Sequence, residues 1–408
     1  MRVYPELLVD EEFEALGDLG FEGQLNDRQF AYLRDRGLLG SLSDMMGYFN
    51  STTSLTSEAL FTAYSAKGFE LDAYISNLFQ DTARTTPVTA PGQTVAGITD
   101  VSGQGNHLSQ ATAAARPTYG IKPFRGRVNM LIGTEALATQ AATTTAVSHT
   151  LSFTGTGTIT LTGTSTAGPL VGTGASDRVS LVFTPTAGSL TLTVSGSVTL
   201  AQLEIGALTG YQRVGTTVYD CTEEGQATVH YLRFQTNDFM QTASLDLTDR
   251  DCVCVVAGLR KMSDAASGII VEIGTDSAVQ NGTFGLFGPS VSGANSYRFL
   301  SRGTVTKDAG TGVFAAAPDT AVVTGLGDIS SPLVSLRRNG SVVTSTATDQ
   351  GTGNYANAVV YIGARAGTSL FANMELSNLI VMSTATSLSS TVVSSTELLS
   401  GIKTGLRL

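Results

Sequence analysis

From about residue 76 onward, apolar and polar positions alternate with a period of two, which predicts strands with one buried face. The clearest block is Ala227–Leu259. It predicts a strand at Tyr231–Phe234, a turn at Thr236-Asn237-Asp238, a second strand at Phe239–Thr242 and a buried strand at Cys252–Leu259. Further strands are predicted at Gly268–Ile273, Thr283–Phe287, Tyr297–Leu300, Ala321–Gly325, Leu333–Leu336, Val359–Gly363 and Leu376–Met382. Asn339-Gly340 fits a tight two-residue turn, so Leu333–Leu336 and Val342-Val343 read as a hairpin. Ser389–Lys403 reads as a terminal helix. Residues 127–214 form a separate series of short, Thr- and Gly-rich strands. There Ile159 and Leu161, then Val179, Leu181 and Phe183, then Leu190, Leu192 and Val194 alternate inward. Short strands at regular spacing predict a small sandwich or jelly roll.

Residues 1–75 break this pattern. They carry acids, Leu, Phe and Tyr at helical spacing. Asn26 or Asp27 can cap a helix through Phe30 and Leu33 that closes at Gly37. Ser41 or Ser43 can start a second with Met45, Met46, Tyr48 and Phe49, and Leu55–Phe69 gives a weaker third. Helices this short are marginal alone in water and need a surface to pack on. Helix ends beyond them, because Pro87 and Pro91 exclude it.

Composition narrows the function classes. The chain has 408 residues, enough for two or three domains. A formal net charge of −10 and no Lys/Arg block exclude a nucleic-acid footprint. The three cysteines, Cys221, Cys252 and Cys254, are too few for a disulfide framework and suit synthesis in a reducing cytoplasm. Cys252 and Cys254 share one strand face and read as small apolar side chains, against the alternative of a redox or metal pair. The N-terminus, MRVYPELLVDEEFEAL, has no apolar signal core, and no membrane-spanning run follows.

Candidate chemistry is sparse. Asp100, Ser102 and Asn106 sit in an oxygen-rich loop, with His107 following. This loop is either a Ca²⁺ site or a turn that satisfies its own backbone. No other cofactor is implied. A sandwich glycosidase needs paired carboxylates on a strand, and here Glu272 and Glu375 stand alone. There is no G-x-S-x-G for a serine hydrolase. Gly351-Thr-Gly353-Asn-Tyr-Ala356 imitates a dinucleotide fingerprint, but a strand follows it where a helix is needed. The expectation is a non-enzyme. Shallow glycan binding through loops remains open, with Tyr219, Tyr297, Tyr355 and Arg365 as contact candidates. The absence of Trp removes the best stacking platform.

Four segments together carry a family likeness. They are Asp100-x-Ser102-Gly103-x-Gly105-Asn106, Leu232-x-Phe234-x-x-Asn237-Asp238-x-Met240, Arg338-Asn339-Gly340 and Tyr361-Ile362-Gly363. In this order they resemble the concanavalin A-like (laminin-G-like) β-sandwich as it occurs in surface proteins of tailed bacteriophages. LFQDTARTTPVTAPGQTV followed by DVSGQGNHLSQATAAARPTYG is similar to the lead-in of such domains, and GQLNDRQFAYLRDRGLLGSLSDMM resembles a module of phage structural proteins. The likeness implies a mainly β chain with three parts. Residues 1–75 would be a helical anchoring region, 76–126 with 215–408 a discontinuous sandwich, and 127–214 an inserted β-sandwich or jelly-roll module. It further implies a structural virion protein, made in the host cytoplasm without a signal peptide and displayed on the particle as a capsid decoration or head spike. Virion proteins would be partners through residues 1–75, a homo-oligomer (a trimer) would form, and host surface glycans would be a ligand. A tail fibre or receptor-binding protein is the alternative. A secreted carbohydrate-active enzyme fits the missing signal and the missing carboxylate pair least well.

Overall fold

The computed structural model describes residues 57–408 apart from 311–313 and 315. The first two expected N-terminal helices lie outside the described residues. Of the third, the described residues are helical over Ser57–Ala63, and Lys67–Asp72 is a β-strand. This corrects the expectation of a helical region reaching residue 75. The physical reason is pairing: Lys67–Asp72 lies antiparallel along Met374–Thr384, and Phe69 and Leu71 are fully buried. Tertiary burial of this kind outweighs local helix preference.

The chain divides into two compact units, one made of the described residues up to 120 together with 229–408, the other of 121–228. The larger unit has two sheets. The first has eight strands, and most of its strands run in the order Ser341–Thr346, Leu333–Arg338, Asp319–Asp328, Cys252–Lys261, Met374–Thr384, Thr228–Phe234, Thr118–Pro123. Lys67–Asp72 adds to the edge of Met374–Thr384. The second has nine strands and includes Met240–Leu245, Ala358–Ile362, Ile269–Ile273, Thr283–Phe287 and Arg298–Arg302 as successive neighbours.

The two sheets face each other across a largely apolar core. Val255 and Ala257 of the first and Phe284, Leu286, Phe299 and Ile362 of the second are all fully buried. Closure of the layers depends on Gly325, where an added Cβ would lie 2.1 Å from the Phe299 ring. The hairpin at Asn339-Gly340 has φ of 49° and 79°, as a primed two-residue turn requires.

The outer face of the first sheet is covered by the terminal helix Ser390–Thr404. Ser389 caps its start by accepting from the Val392 N–H, and Gly405 closes it in the left-handed conformation (φ 83°). Beneath the helix, Cys254, Val256, Ile380 and Met382 pack with Phe61 and Val393. Two ion pairs fasten it. Arg337 grips the buried Glu397 through two hydrogen bonds of 2.8 and 2.9 Å. Lys403 Nζ lies 2.6 Å from Glu70 and 2.9 Å from Asp72.

In the smaller unit, a three-stranded sheet has the order Gly174–Phe183, His149–Gly155, Val198–Ile205. A four-stranded sheet has the order Gln140–Thr144, Gly188–Ser195, Thr158–Gly163, Leu170–Val171. Their inner faces form a separate core of Leu151, Phe153, Ile159, Leu161, Leu190, Leu192 and Leu203. The ends of this unit run side by side: Phe124 N–H donates to Ala227 C=O at 2.8 Å, and Arg125 pairs with Glu223 at 2.6 Å.

Candidate functional site

The second sheet has its outer face covered only in part, by loops, and that face carries the site. In one cross-strand row, Gln241, Tyr361, Glu272 and Gly285 are paired neighbours and point the same way. Val360 and Ile362, on either side of Tyr361, point into the core and are fully buried. Alternation therefore turns Tyr361 outward, where it is half-buried and packs against Phe239 with ring centroids 6.5 Å apart.

Beside Tyr361 lies an open cleft of about 330 Å³. One wall is the loop from Gly274 to Thr283, and the other is the segment Ala356 to Tyr361. Both walls are held by backbone. Gly274 N–H donates to Val359 C=O at 2.8 Å, and Ala356 N–H donates to Gly282 C=O at 2.7 Å. Gly282 adopts φ +68°, and a Cβ there would lie 2.6 Å from Asn354 O, so only glycine lets the walls meet.

A buried ion pair supports the first wall. The Glu272 carboxylate, fully buried, receives Arg365 Nε at 3.1 Å and Nη2 at 2.9 Å. It also accepts from the N–H and hydroxyl of Ser277 at 2.8 and 2.6 Å. Arg365 reaches Asp276 at 3.3 Å as well. Gly285 makes room for this arrangement, since a Cβ there would lie 2.7 Å from Ser277 Oγ. The loop is thus laid onto the sheet by one carboxylate and one guanidinium.

The amide side chains at the rim are oriented in turn. Gln280 Oε1 accepts from the N–H groups of Thr275 and Asp276 at 2.7 and 3.2 Å. Asn281 Oδ1 accepts from Arg302 Nε at 3.1 Å. Asn357 Oδ1 accepts from Leu247 N–H at 2.6 Å, and its Nδ2 donates to Thr248 Oγ1 at 3.1 Å. None of the residues lining the cleft carries a charge. Such a surface can hold a small polar ligand by hydrogen bonds and one aromatic face.

The contact residues expected from sequence are placed differently. Tyr297 is fully buried, and its hydroxyl donates to Asp319 at 3.0 Å. Tyr355 is buried between the sheets, with its hydroxyl 2.7 Å from Ser301 Oγ. Burial pushes both phenols above the ordinary tyrosine range. Neither can touch a glycan, and both are corrections: loop tyrosines here close the core. Arg365 supports the cleft wall through Glu272 and is engaged there. Tyr219 lies in the smaller unit, half-buried, where its carbonyl accepts from Ile121 N–H at 2.8 Å.

Asp100, Ser102 and Asn106 do come together, but as a closed turn. Asp100 Oδ1 accepts from the N–H groups of Glu70 and Ser102, both at 2.9 Å, and Oδ2 accepts from Asn106 N–H at 2.8 Å. Asn106 Nδ2 donates to Gly68 C=O at 2.6 Å, and His107 Nδ1 accepts from Asp100 N–H at 3.1 Å. A Ca²⁺ shell is built of oxygens, whereas this carboxylate is ringed by N–H donors. The loop is the self-satisfied alternative.

Nothing among the described residues assembles a catalytic set. Glu272 is tied down by Arg365 and Ser277, and Glu375 faces Arg260 at 3.9 Å. All three cysteines are buried and free. Burial pushes the Cys254 thiol up to about 12, which keeps it protonated and unreactive. Asp251, Cys252 and Asp328 do cluster within 4.8 Å, but Asp328 is already engaged by Ser330, Ser331 and Ser387.

The residues that sequence reasoning missed are Tyr361, Gln280, Asn281 and Asn357. For Tyr361 a signal exists in VVYIG, where inward Val360 and Ile362 force it outward. For the three amides no local signal exists, because loop closure alone brings them together.

No protein-family model and no curated protein matches this chain. Among solved structures, the IT-sialidase CBM40 of Ruminococcus gnavus is similar at 17% identity and a TM-score of 0.28, over 36% of this chain and 83% of that one. The heptameric SAP-like pentraxin of Limulus polyphemus is similar at 17% identity and 0.28, over 40% and 73%. The botulinum neurotoxin serotype G binding domain is similar at 11% identity and 0.32, over 43% of each chain. The fold is mainly β, with paired sheets forming sandwiches and one helix at the C-terminal end.

Proposed function

We propose that this chain is a non-catalytic surface protein of a tailed-bacteriophage particle, whose larger sandwich binds glycans at the Tyr361 cleft. The observation that carries glycan binding is the cleft itself. It is open, uncharged, lined by amides and one outward tyrosine, and held by backbone and a buried ion pair. Pre-organised walls reduce the ordering that binding must pay for. Placement on a virion rests on the sequence likeness of residues 78–120 and 231–240 to phage surface domains. The non-catalytic reading is supported by the engagement of Glu272 and Glu375 with arginines.

In this reading the residues before 57 attach the protein to other virion components, and the chain forms a symmetric homo-oligomer, a trimer. The attachment test must respect the strand at Lys67–Asp72, since truncation at residue 75 would remove an edge of the first sheet. Deleting residues 2–56 should abolish incorporation into particles while the remainder stays folded by circular dichroism. Normal incorporation of the truncated chain would sink the anchoring role. For the ligand, the full-length chain is applied to a glycan array with and without Ca²⁺. Binding that is independent of Ca²⁺ is expected, and no binding to any glycan would remove the binding role.

A further inference from the structure

We infer that the cleft selects an uncharged sugar bearing an acetamido group, an N-acetylhexosamine residue. This rests on the glycan-binding reading above and adds its chemical specificity.

The first argument is donor polarity. An amide side chain offers one acceptor edge and one donor edge. In Gln280 the acceptor oxygen is occupied by two backbone N–H groups, which also settles which atom is oxygen. Its NH₂ edge is therefore what the exposed end of the side chain presents. In Asn281 one lone pair of the oxygen is taken by Arg302, and the NH₂ edge is left to donate. Both residues line the same cleft. Gln280 is thereby fixed as a donor and Asn281 biased toward one, which favours a ligand that brings acceptors.

The second argument is the adjoining apolar surface. Ala356, Ala358 and Val359 line the wall that faces these donors. A fixed donor beside an apolar shelf matches a carbonyl bearing a methyl group. A hydroxyl alone would satisfy the donors but leave the shelf wet.

The third argument is charge. No Lys, Arg, Asp or Glu lines the cleft. The neighbouring Arg302 is held by uncharged acceptors: Nε donates to Asn281, and Nη1 donates to Ala278 C=O and Thr306 Oγ1. Asp276, close by, is paired with Arg365 at 3.3 Å. A sugar carboxylate would find no cation among the lining residues and would approach a chain of net charge −10.

The test is titration calorimetry of the full-length chain with three probes: N-acetylglucosamine oligosaccharides, glucose oligosaccharides of the same linkage and length, and sialyllactose. The expected order is N-acetylglucosamine tightest, by about tenfold over glucose, with sialyllactose no better than lactose. Gln280→Glu keeps the oxygen that closes the loop and replaces the NH₂ donor with a second acceptor. It should weaken the acetylated ligand at least tenfold with an unchanged melting temperature. Asn281→Asp provides the same exchange at the second donor. Equal affinity for glucose and N-acetylglucosamine oligosaccharides, or a preference for sialyllactose, overturns the inference while leaving glycan binding in place. Retained affinity in both variants also overturns it. Failure to bind any probe or any other glycan overturns the glycan-binding reading together with it.

Discussion

The two outer faces of the larger sandwich are built from similar strands yet meet opposite fates. The first sheet is sealed by the terminal helix, over Cys254, Val256, Ile380 and Met382. The second is covered only in part, by loops resting on Ile269, Phe287 and Leu300, and it opens at the Tyr361 cleft. Each face uses a buried glutamate held by a long cation, and the first face has a second such pair in Arg337 and Glu397. Lys403 holds Glu70 under the helix, and Arg365 holds Glu272 under the loop. The same device fixes a cover in one place and a binding wall in the other. What differs is what surrounds it, apolar packing on the first face and exposed amides on the second.

The largest effect that separates the faces should come from Lys403→Met. It leaves Glu70, which is fully buried, without its cation, and the expected loss is about 4 kcal/mol by urea denaturation. The pH dependence has a definite sign. Burial raises the Glu70 carboxyl above the ordinary 4.5, and Lys403 opposes that rise. Burial pulls Lys403 down, but Glu70 and Asp72 outweigh it and hold the ammonium above its ordinary 10.5. Without Lys403 the Glu70 value rises further. A raised folded value means that the folded state holds the proton more tightly. Its stabilisation is complete below 4.5 and is lost as pH rises through the raised value. Relative to the parent, the variant should therefore gain stability on acidification from about pH 7 toward 4.5. A difference that is flat with pH would show that Glu70 is not the group left behind.

Arg365→Met applies the same operation to the open face. The expected loss is about 3 kcal/mol, because Glu272 is fully buried and loses its partner. It should also weaken ligand binding, because Glu272 and Ser277 position the wall that carries Gln280. A variant that loses stability but binds normally would separate the ion pair from the cleft. The smallest effect on the fold should come from Tyr361→Ala. Tyr361 is half-buried on the outer face, so the melting temperature should shift little while glycan affinity falls about tenfold. Unchanged affinity would move the site away from this tyrosine.

Much of the fold was legible wherever one residue's neighbours decide its conformation. Asn339-Gly340 specifies its own turn. Ser389 and Gly405 bracket the terminal helix within a residue or two of the span predicted from Ser389–Lys403. Period-two alternation placed Ile159, Leu181 and Leu192 in strands, and apolar runs placed Cys254 and Ile380. Lys67–Asp72 was misread because its helical neighbourhood is local, whereas its strand partner lies some three hundred residues away.

The amino-acid sequence by itself determined the β class, the break between the two series of strands and the absence of a carboxylate pair. Each follows from composition or from side-chain alternation along one strand. Only the tertiary structure decided that Tyr297 and Tyr355 are core residues, that Asp100 serves its own loop and that Arg365 is a brace. It alone brought Gln280, Asn281 and Tyr361 to one cleft. Burial and hydrogen-bond satisfaction belong to sets of residues far apart in the chain, and no local pattern encodes which partner will occupy a given oxygen.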